Sequence, residues 1–290
     1  MRLAIYFFTA VSYLSLPLLA QGAVDGTETE LDCRPAPDPS RIVVAGGSIT
    51  EILFMLGEDN KIVAVDRTSN YPAEVSRFPV VGYVRALSAE GVLSLGPSLV
   101  LGEDDMGPHE VVSQLKLTGI EIRRVPEEHS AVGIVEKIIC VATILGYTDD
   151  KIAKIRQDFD DSVEQIAALN DEEATAPKPR VAIIMALRDG VPFAAGSDTS
   201  ADGVIEMAGA ENVFASFEGW KPVSLEVMIS SDPSFIVMPE RGMAMSGGRD
   251  SVLSHPSVRT TVAGQKGRVI AVDGMTLLGF GPRTLQAALA

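Results

Sequence analysis

The residue types with the most chemistry to offer in this 290-residue chain sit together at Val81-Gly82-Tyr83-Val84-Arg85. A tyrosine and an arginine two residues apart on extended backbone project to one face. An ionised phenol is a hard anionic oxygen that suits a ferric ion, and a neighbouring cation favours that ionised form. Tyr83 and Arg85 are therefore candidate ligand-binding residues. The same triplet also fits a packing tyrosine beside a solvated arginine.

Directly after it the chain runs Ser88-Ala-Glu90-Gly-Val-Leu-Ser94-Leu-Gly-Pro97-Ser98, and far downstream it runs Ser224-Leu-Glu226-Val-Met-Ile-Ser230-Ser-Asp-Pro233-Ser234. Ser, Glu, Ser, Pro and Ser recur at one spacing with apolar residues between them. Such an internal repeat bears on the whole architecture. Each copy reads as an N-cap serine, a glutamate in the first turn of a short helix, a Pro-Ser stop and a buried strand. Two copies imply two similar α/β lobes. Glu90 and Glu226 form a matched pair, one per lobe.

The elements that must carry these residues follow in order. Residues 1–20 hold one positive charge (Arg2), a short apolar core and Ala20, the pattern of a secretory signal peptide. Residues 21–40, with Pro35, Pro37 and Pro39, read as a flexible lead-in. Residues 41–148 read as an N-terminal α/β lobe and residues 171–290 as a C-terminal one. Between them, Ile152, Ile155, Phe159, Val163 and Ile166 fall at helical spacing, so 149–170 is a single long linking helix. Ser48-Ile-Thr-Glu51 matches an S-x-x-E capping box, which makes Glu51 a capping residue. The fold class is thus α/β, two lobes joined by one helix, with a ligand cleft between them.

Composition narrows the function. A formal charge of −15 argues against nucleic acid or an anionic membrane as partner. The Gly46-Gly47 turn lacks both the dinucleotide fingerprint and a P-loop lysine. No Ser-His-Asp order, H-E-x-x-H or spaced carboxylate pair stands out, so an enzyme is not expected. Cys33 and Cys140 would be free to pair in an exported protein, although Cys140 falls on an apolar helix pattern and reads as a core residue.

Taken together, Gly47-x-x-Thr50-Glu51, Tyr71-Pro72, the repeated Ser/Glu/Pro segment and Gly219-Trp-Lys-Pro-Val-Ser224 resemble the binding proteins for B12, siderophores and haem that feed ABC importers. Val81-Gly-Tyr83-x-Arg85, Leu87-x-Ala89-Glu90-Gly91, Arg241-Gly242 and Leu278-Gly-Phe-Gly-Pro-Arg283 are similar to the haem-binding members. The resemblance spans about Arg41 to Arg283. It implies a periplasmic, monomeric protein with haem as its transported ligand and a permease dimer as its partner, with an outer-membrane haem receptor system upstream. It places the iron-ligating tyrosine on Tyr83, a type of haem ligand with precedent, and its supporting arginine on Arg85. It also places a propionate-binding arginine on Arg241, and permease-docking glutamates on Glu90 and Glu226. Some members add a histidine near the start of the second lobe. Here that neighbourhood holds Arg188-Asp189, and His109, His129 and His255 lie elsewhere, so five-coordinate iron is the expectation. A ferric siderophore or corrinoid as ligand, or a haem chaperone outside transport, are the competing readings.

Overall fold

The computed structural model describes residues 33–170 and 177–289. The expected signal peptide and residues 21–32 of the lead-in lie outside the described residues.

The first lobe opens with β1 (Ile42–Ala45), α1 (Gly47–Met55) and β2 (Ile62–Val65). A small hairpin, β3 (Gly82–Tyr83) and β4 (Ala86–Leu87), leads into α2 (Ala89–Ser94) and β5 (Leu99–Glu103). Next come α3 (His109–Leu117), β6 (Glu121–Val125) and α4 (Ala131–Ile144). The four main strands form a parallel sheet in the order β2-β1-β5-β6. The two strands β1 and β2 are short apolar runs, and every residue of β1 is fully buried, as expected where both faces of a sheet are covered.

The linker is a single helix, α5 (Asp149–Leu169), on the face the spacing predicts. Ile155, Phe159, Val163 and Ile166 pack against the larger apolar core.

The second lobe contains β7 (Arg180–Arg188), β8 (Val191–Ala195), α6 (Ser200–Met207), β9 (Glu211–Asn212) and β10 (Trp220–Pro222). Then follow α7 (Leu225–Ser231), β11 (Phe235–Pro239), α8 (Glu240–Met245), α9 (Arg249–Ser254), α10 (Pro256–Arg259) and α11 (Val262–Gln265). The lobe closes with β12 (Val269–Val272), α12 (Gly274–Leu278) and α13 (Pro282–Ala288). Its sheet runs β10-β8-β7-β11-β12, with β9 on β7. The repeat is therefore partial. β1-β5-β6 and β7-β11-β12 are equivalent parallel triplets, and α2 and α7 each precede the central strand. The antiparallel β8 and β10 have no counterpart in the first sheet.

Two departures from the sequence reading concern the lead-in and the capping box. Cys33 is disulfide-bonded to Cys140, and the Ala36 N–H donates to the Ile144 carbonyl at 2.9 Å. Residues 33–36 are thus tethered to α4, where a flexible segment was expected. Cys140 is both a buried core residue and a bonded one. At α1 the N-cap is Gly46, and no side chain caps the helix. Glu51 instead accepts from Arg283 Nη2 at 2.6 Å, joining α1 to α13. The local rule gives way because Arg283, brought from the far end of the chain, offers a charge-assisted partner to a buried carboxylate.

The lobes share apolar packing as well. Met207, Phe280 and Leu285 from the second half belong to the same core as Ile49, Leu53 and Ile138 from the first.

Candidate functional site

Tyr83 and Arg85 are brought together by a turn and not by strand alternation. Gly82 pairs with Leu87 and Tyr83 with Ala86, so Val84 and Arg85 form a two-residue hairpin tip. Gly82 takes φ 123°, and a Cβ there would lie 2.5 Å from the Ala86 carbonyl oxygen. Only glycine accepts both conditions. The turn folds the Arg85 guanidinium back onto the tyrosine, and Arg85 Nη1 donates to Tyr83 Oη at 2.5 Å. Arg85 also pairs with Asp105. The arginine thus places a fixed cation at the phenol oxygen, where it stabilises negative charge.

The hairpin is held from below by Asp66, a fully buried carboxylate at the end of β2. It accepts from the backbone N–H groups of Gly46 (3.1 Å), Thr68 (2.9 Å) and Val84 (3.0 Å), and from the Thr68 and Ser69 hydroxyls. These donors take the place of the water such a buried anion has lost. Sequence reasoning passed over Asp66; its signal was the Asp-x-Thr-Ser run at a strand end, a side-chain turn pattern.

Behind the hairpin lies a second polar group. Lys137 is completely buried on α4, and its Nζ donates to Glu127 Oε2 at 2.5 Å and to Ser48 Oγ at 3.3 Å. Ser48 Oγ in turn donates to Glu103 Oε1 at 2.7 Å. Gly46 makes room for this: with φ 145°, it has a position where a Cβ would lie 2.6 Å from the Glu103 carboxyl carbon. Burial pushes the Glu103 carboxyl up to about 7, against the opposing pull of Lys137. Burial also raises Glu127, again against Lys137. Burial lowers His129, with Lys137 adding to the effect.

Above these buried groups opens a cavity of about 560 Å³ between the lobes. Tyr83, Arg85, Glu103 and Glu127 come from the first lobe, and Met185, Asp198, Trp220 and Leu278 from the second. His129, excluded on sequence position, lines the same cavity, with its ring 4.8 Å from that of Phe280. Arg241 does not line it. It is exposed at the start of α8, next to Gly242, where a Cβ would lie 1.8 Å from the carbonyl oxygen of the cavity residue Met185. Arg188 is exposed and stacks over Phe193 at 4.1 Å. His109 is exposed on α3, Met243 is a core residue, and Met245 is exposed. No cluster of three or more His, Cys, Asp or Glu able to hold a metal ion occurs among the described residues. The cavity thus offers one oxygen ligand with a cationic support, one imidazole, apolar walls and an acidic lining.

The Glu103 shift fixes a sign for pH dependence. Its folded-state value lies above the ordinary 4.5, so the native protein holds an extra proton between about pH 4.5 and 7. Stability from this group is complete below that window and is lost as pH rises through it. Glu103→Gln keeps the Ser48 acceptor and removes the charge. Urea titrations should show the variant more stable than the parent by about 1–3 kcal/mol at pH 8, with no difference near pH 4.5.

Glu90 and Glu226 are exposed, each in the first turn of a short helix whose N-cap serine accepts a backbone N–H. Neither reaches the cavity.

Comparison with known proteins adds the following. A profile of the family described as "Periplasmic binding protein" matches residues 42–275. The apo periplasmic heme-binding protein RhuT from Roseiflexus sp. RS-1 is 37% identical, with a TM-score of 0.76 over 86% of this chain and 95% of that one. The periplasmic heme-binding protein BhuT, in complex with two hemes, is 35% identical, with a TM-score of 0.78 over 86% of this chain and 94% of that one. A cobalamin-binding protein of Halobacterium salinarum is 26% identical over 255 residues, 86% of this chain and 67% of the relative.

Proposed function

The chain belongs to the periplasmic binding protein family, and from that premise we propose that it captures haem between its lobes in the periplasm and hands it to an ABC-type inner-membrane importer. The observation that carries this reading is the Arg85-supported phenol oxygen of Tyr83 in the wall of the inter-lobe cavity. Tyr83 ligates the ferric iron, and Arg85 holds the phenolate charge. Trp220, Met185 and Leu278 supply apolar contact for the porphyrin. The carboxylates of Glu103, Asp104, Asp105, Glu127 and Asp198 repel the two haem propionates. The propionates therefore face outward, and Arg241, an exposed residue next to the Gly242 that packs on Met185, is the arginine assigned to one of them. The likeness to RhuT and BhuT supports haem over other ligands of the family.

A corrinoid is the second reading, favoured by that acidic lining and by the cobalamin-binding relative. A corrin carries amide side chains that donate hydrogen bonds to carboxylates. Trp220, the single tryptophan of the chain, reports which ligand binds because it lies in the cavity wall. Under the haem reading, hemin quenches its fluorescence at stoichiometric concentration, and cyanocobalamin does so only at far higher concentration. The reverse order would make the protein a corrinoid carrier.

Glu90 and Glu226 would dock the loaded protein on the two halves of a permease. Reversing both to Lys should abolish haem uptake in cells and leave hemin binding unchanged. Normal uptake by the double variant would remove the docking role.

A further inference from the structure

The two matched helices differ in the residues that surround their glutamates. In α2, Glu90 is flanked by Ala89 and Gly91, and Leu93 is the one large apolar side chain left exposed, at 41%. In α7, the equivalent positions around Glu226 hold Leu225, Val227 and Ile229, exposed at 42%, 44% and 45%. Only Met228 of that helix is buried, as Val92 is in α2. At about 100° per residue, Leu225 and Ile229 lie on one side of Glu226 and Val227 on the other, so the carboxylate is set within an apolar surround. The caps of the two helices are alike, so the difference lies in the side chains themselves: Val227 donates its N–H to Ser224 Oγ as Gly91 does to Ser88 Oγ. Three large exposed apolar side chains on a seven-residue helix leave unpartnered surface of the kind that marks an interaction site.

We propose that α7 is the dominant apolar anchor for the permease, and that α2 contributes charge recognition with little apolar contact. The inference rests on the docking role of the glutamates and adds an inequality between the lobes that this role does not require. The charge pattern identifies the occupant. A carboxylate at equivalent places in two similar lobes fits a partner with two equivalent recesses, each basic at its centre, and the apolar surround of Glu226 fits a recess with an apolar rim. A desolvated rim also strengthens the ion pair that it encloses.

The test compares Leu225→Ser/Val227→Ser/Ile229→Ser with Leu93→Ser, and both with Glu226→Lys and the unaltered protein. Binding is measured to the haem permease–ATPase complex of the same organism in nanodiscs. Circular dichroism and hemin titration check that each variant folds and loads. Burying about 100 Å² of apolar surface less should weaken the triple variant roughly 50-fold. Leu93→Ser should lose less than about threefold. Equal losses for the two variants, or unchanged affinity of the triple variant, would overturn the inference. Unchanged affinity of Glu226→Lys, or no binding by the unaltered protein, would overturn the docking reading and the inference with it. If the triple variant binds the permease normally but abolishes a dimer of the free protein seen by sedimentation, the surface serves self-association and the inference fails.

Discussion

Replacing Lys137 by Met should destabilise the protein by about 3–5 kcal/mol at pH 8, the cost of breaking a buried pair by removing one partner. Lys137 is the single cation of the buried Ser48–Glu103–Lys137–Glu127 chain, and it is fully inaccessible. Methionine retains much of the lysine stem but leaves Glu127 facing a site with no counter-charge. Two controls separate the electrostatic cause from packing. Lys137→Met combined with Glu127→Gln should recover part of the loss, because the anion paired directly with Lys137 is gone and only Glu103 still lacks its counter-charge. The loss of the single variant should also shrink as pH falls towards 4.5. Glu103 and Glu127 already sit above the ordinary carboxyl range; without Lys137 they would protonate more readily still, and a neutral carboxyl has no partner to miss. Urea midpoints at pH 8 and pH 4.5 decide the matter. A loss of equal size at both would assign the effect to cavity formation.

The second large effect concerns the ligand. Tyr83→Phe keeps the ring that packs in the cavity wall and removes the oxygen that meets the iron. Transfer of hemin to excess apomyoglobin should then accelerate by about 100-fold or more, as expected when a coordinate bond worth roughly 3 kcal/mol or more is lost. Arg85→Ala should accelerate it less, because the phenol remains and only its cationic support goes. Arg241→Ala should weaken retention without altering the iron environment, since its place is with a propionate. Unchanged retention by Tyr83→Phe would make His129, on the same cavity wall, the next candidate ligand.

How much of this was legible in the sequence depends on how local the determining contacts are. The α2–β5 and α7–β11 units were readable because serine caps, first-turn glutamates and Pro-Ser stops act within a few residues. Helix α5 was readable because its apolar face repeats over about four turns, from Ile152 to Ile166. The Tyr83–Arg85 pair was found, though for the wrong geometric reason: a glycine-dependent hairpin tip joins them, not an extended strand. The polar floor was not found. Ser48, Glu103, Glu127 and Lys137 come from four separate elements, and no spacing rule links them. The one available signal was Lys137 itself, a cation beside Glu136 within the otherwise apolar run of α4. Glu51 was misread because Ser48-x-x-Glu51 satisfies a local capping pattern, while both residues are engaged by distant partners, Glu103 and Arg283. The disulfide stayed open because a cysteine on an apolar helix face looks the same in sequence whether or not it is bonded, and here Cys140 is both buried and bonded.

The central claim is that Tyr83 binds ferric haem through its phenolate. The absorption and resonance Raman spectra of the purified protein titrated with one equivalent of hemin test it most directly. The account predicts a high-spin ferric spectrum with a tyrosinate-to-iron charge-transfer band and phenolate ring modes, present in the parent and in Arg241→Ala and absent from Tyr83→Phe. A parent spectrum without those features, or one identical in Tyr83→Phe, would contradict it.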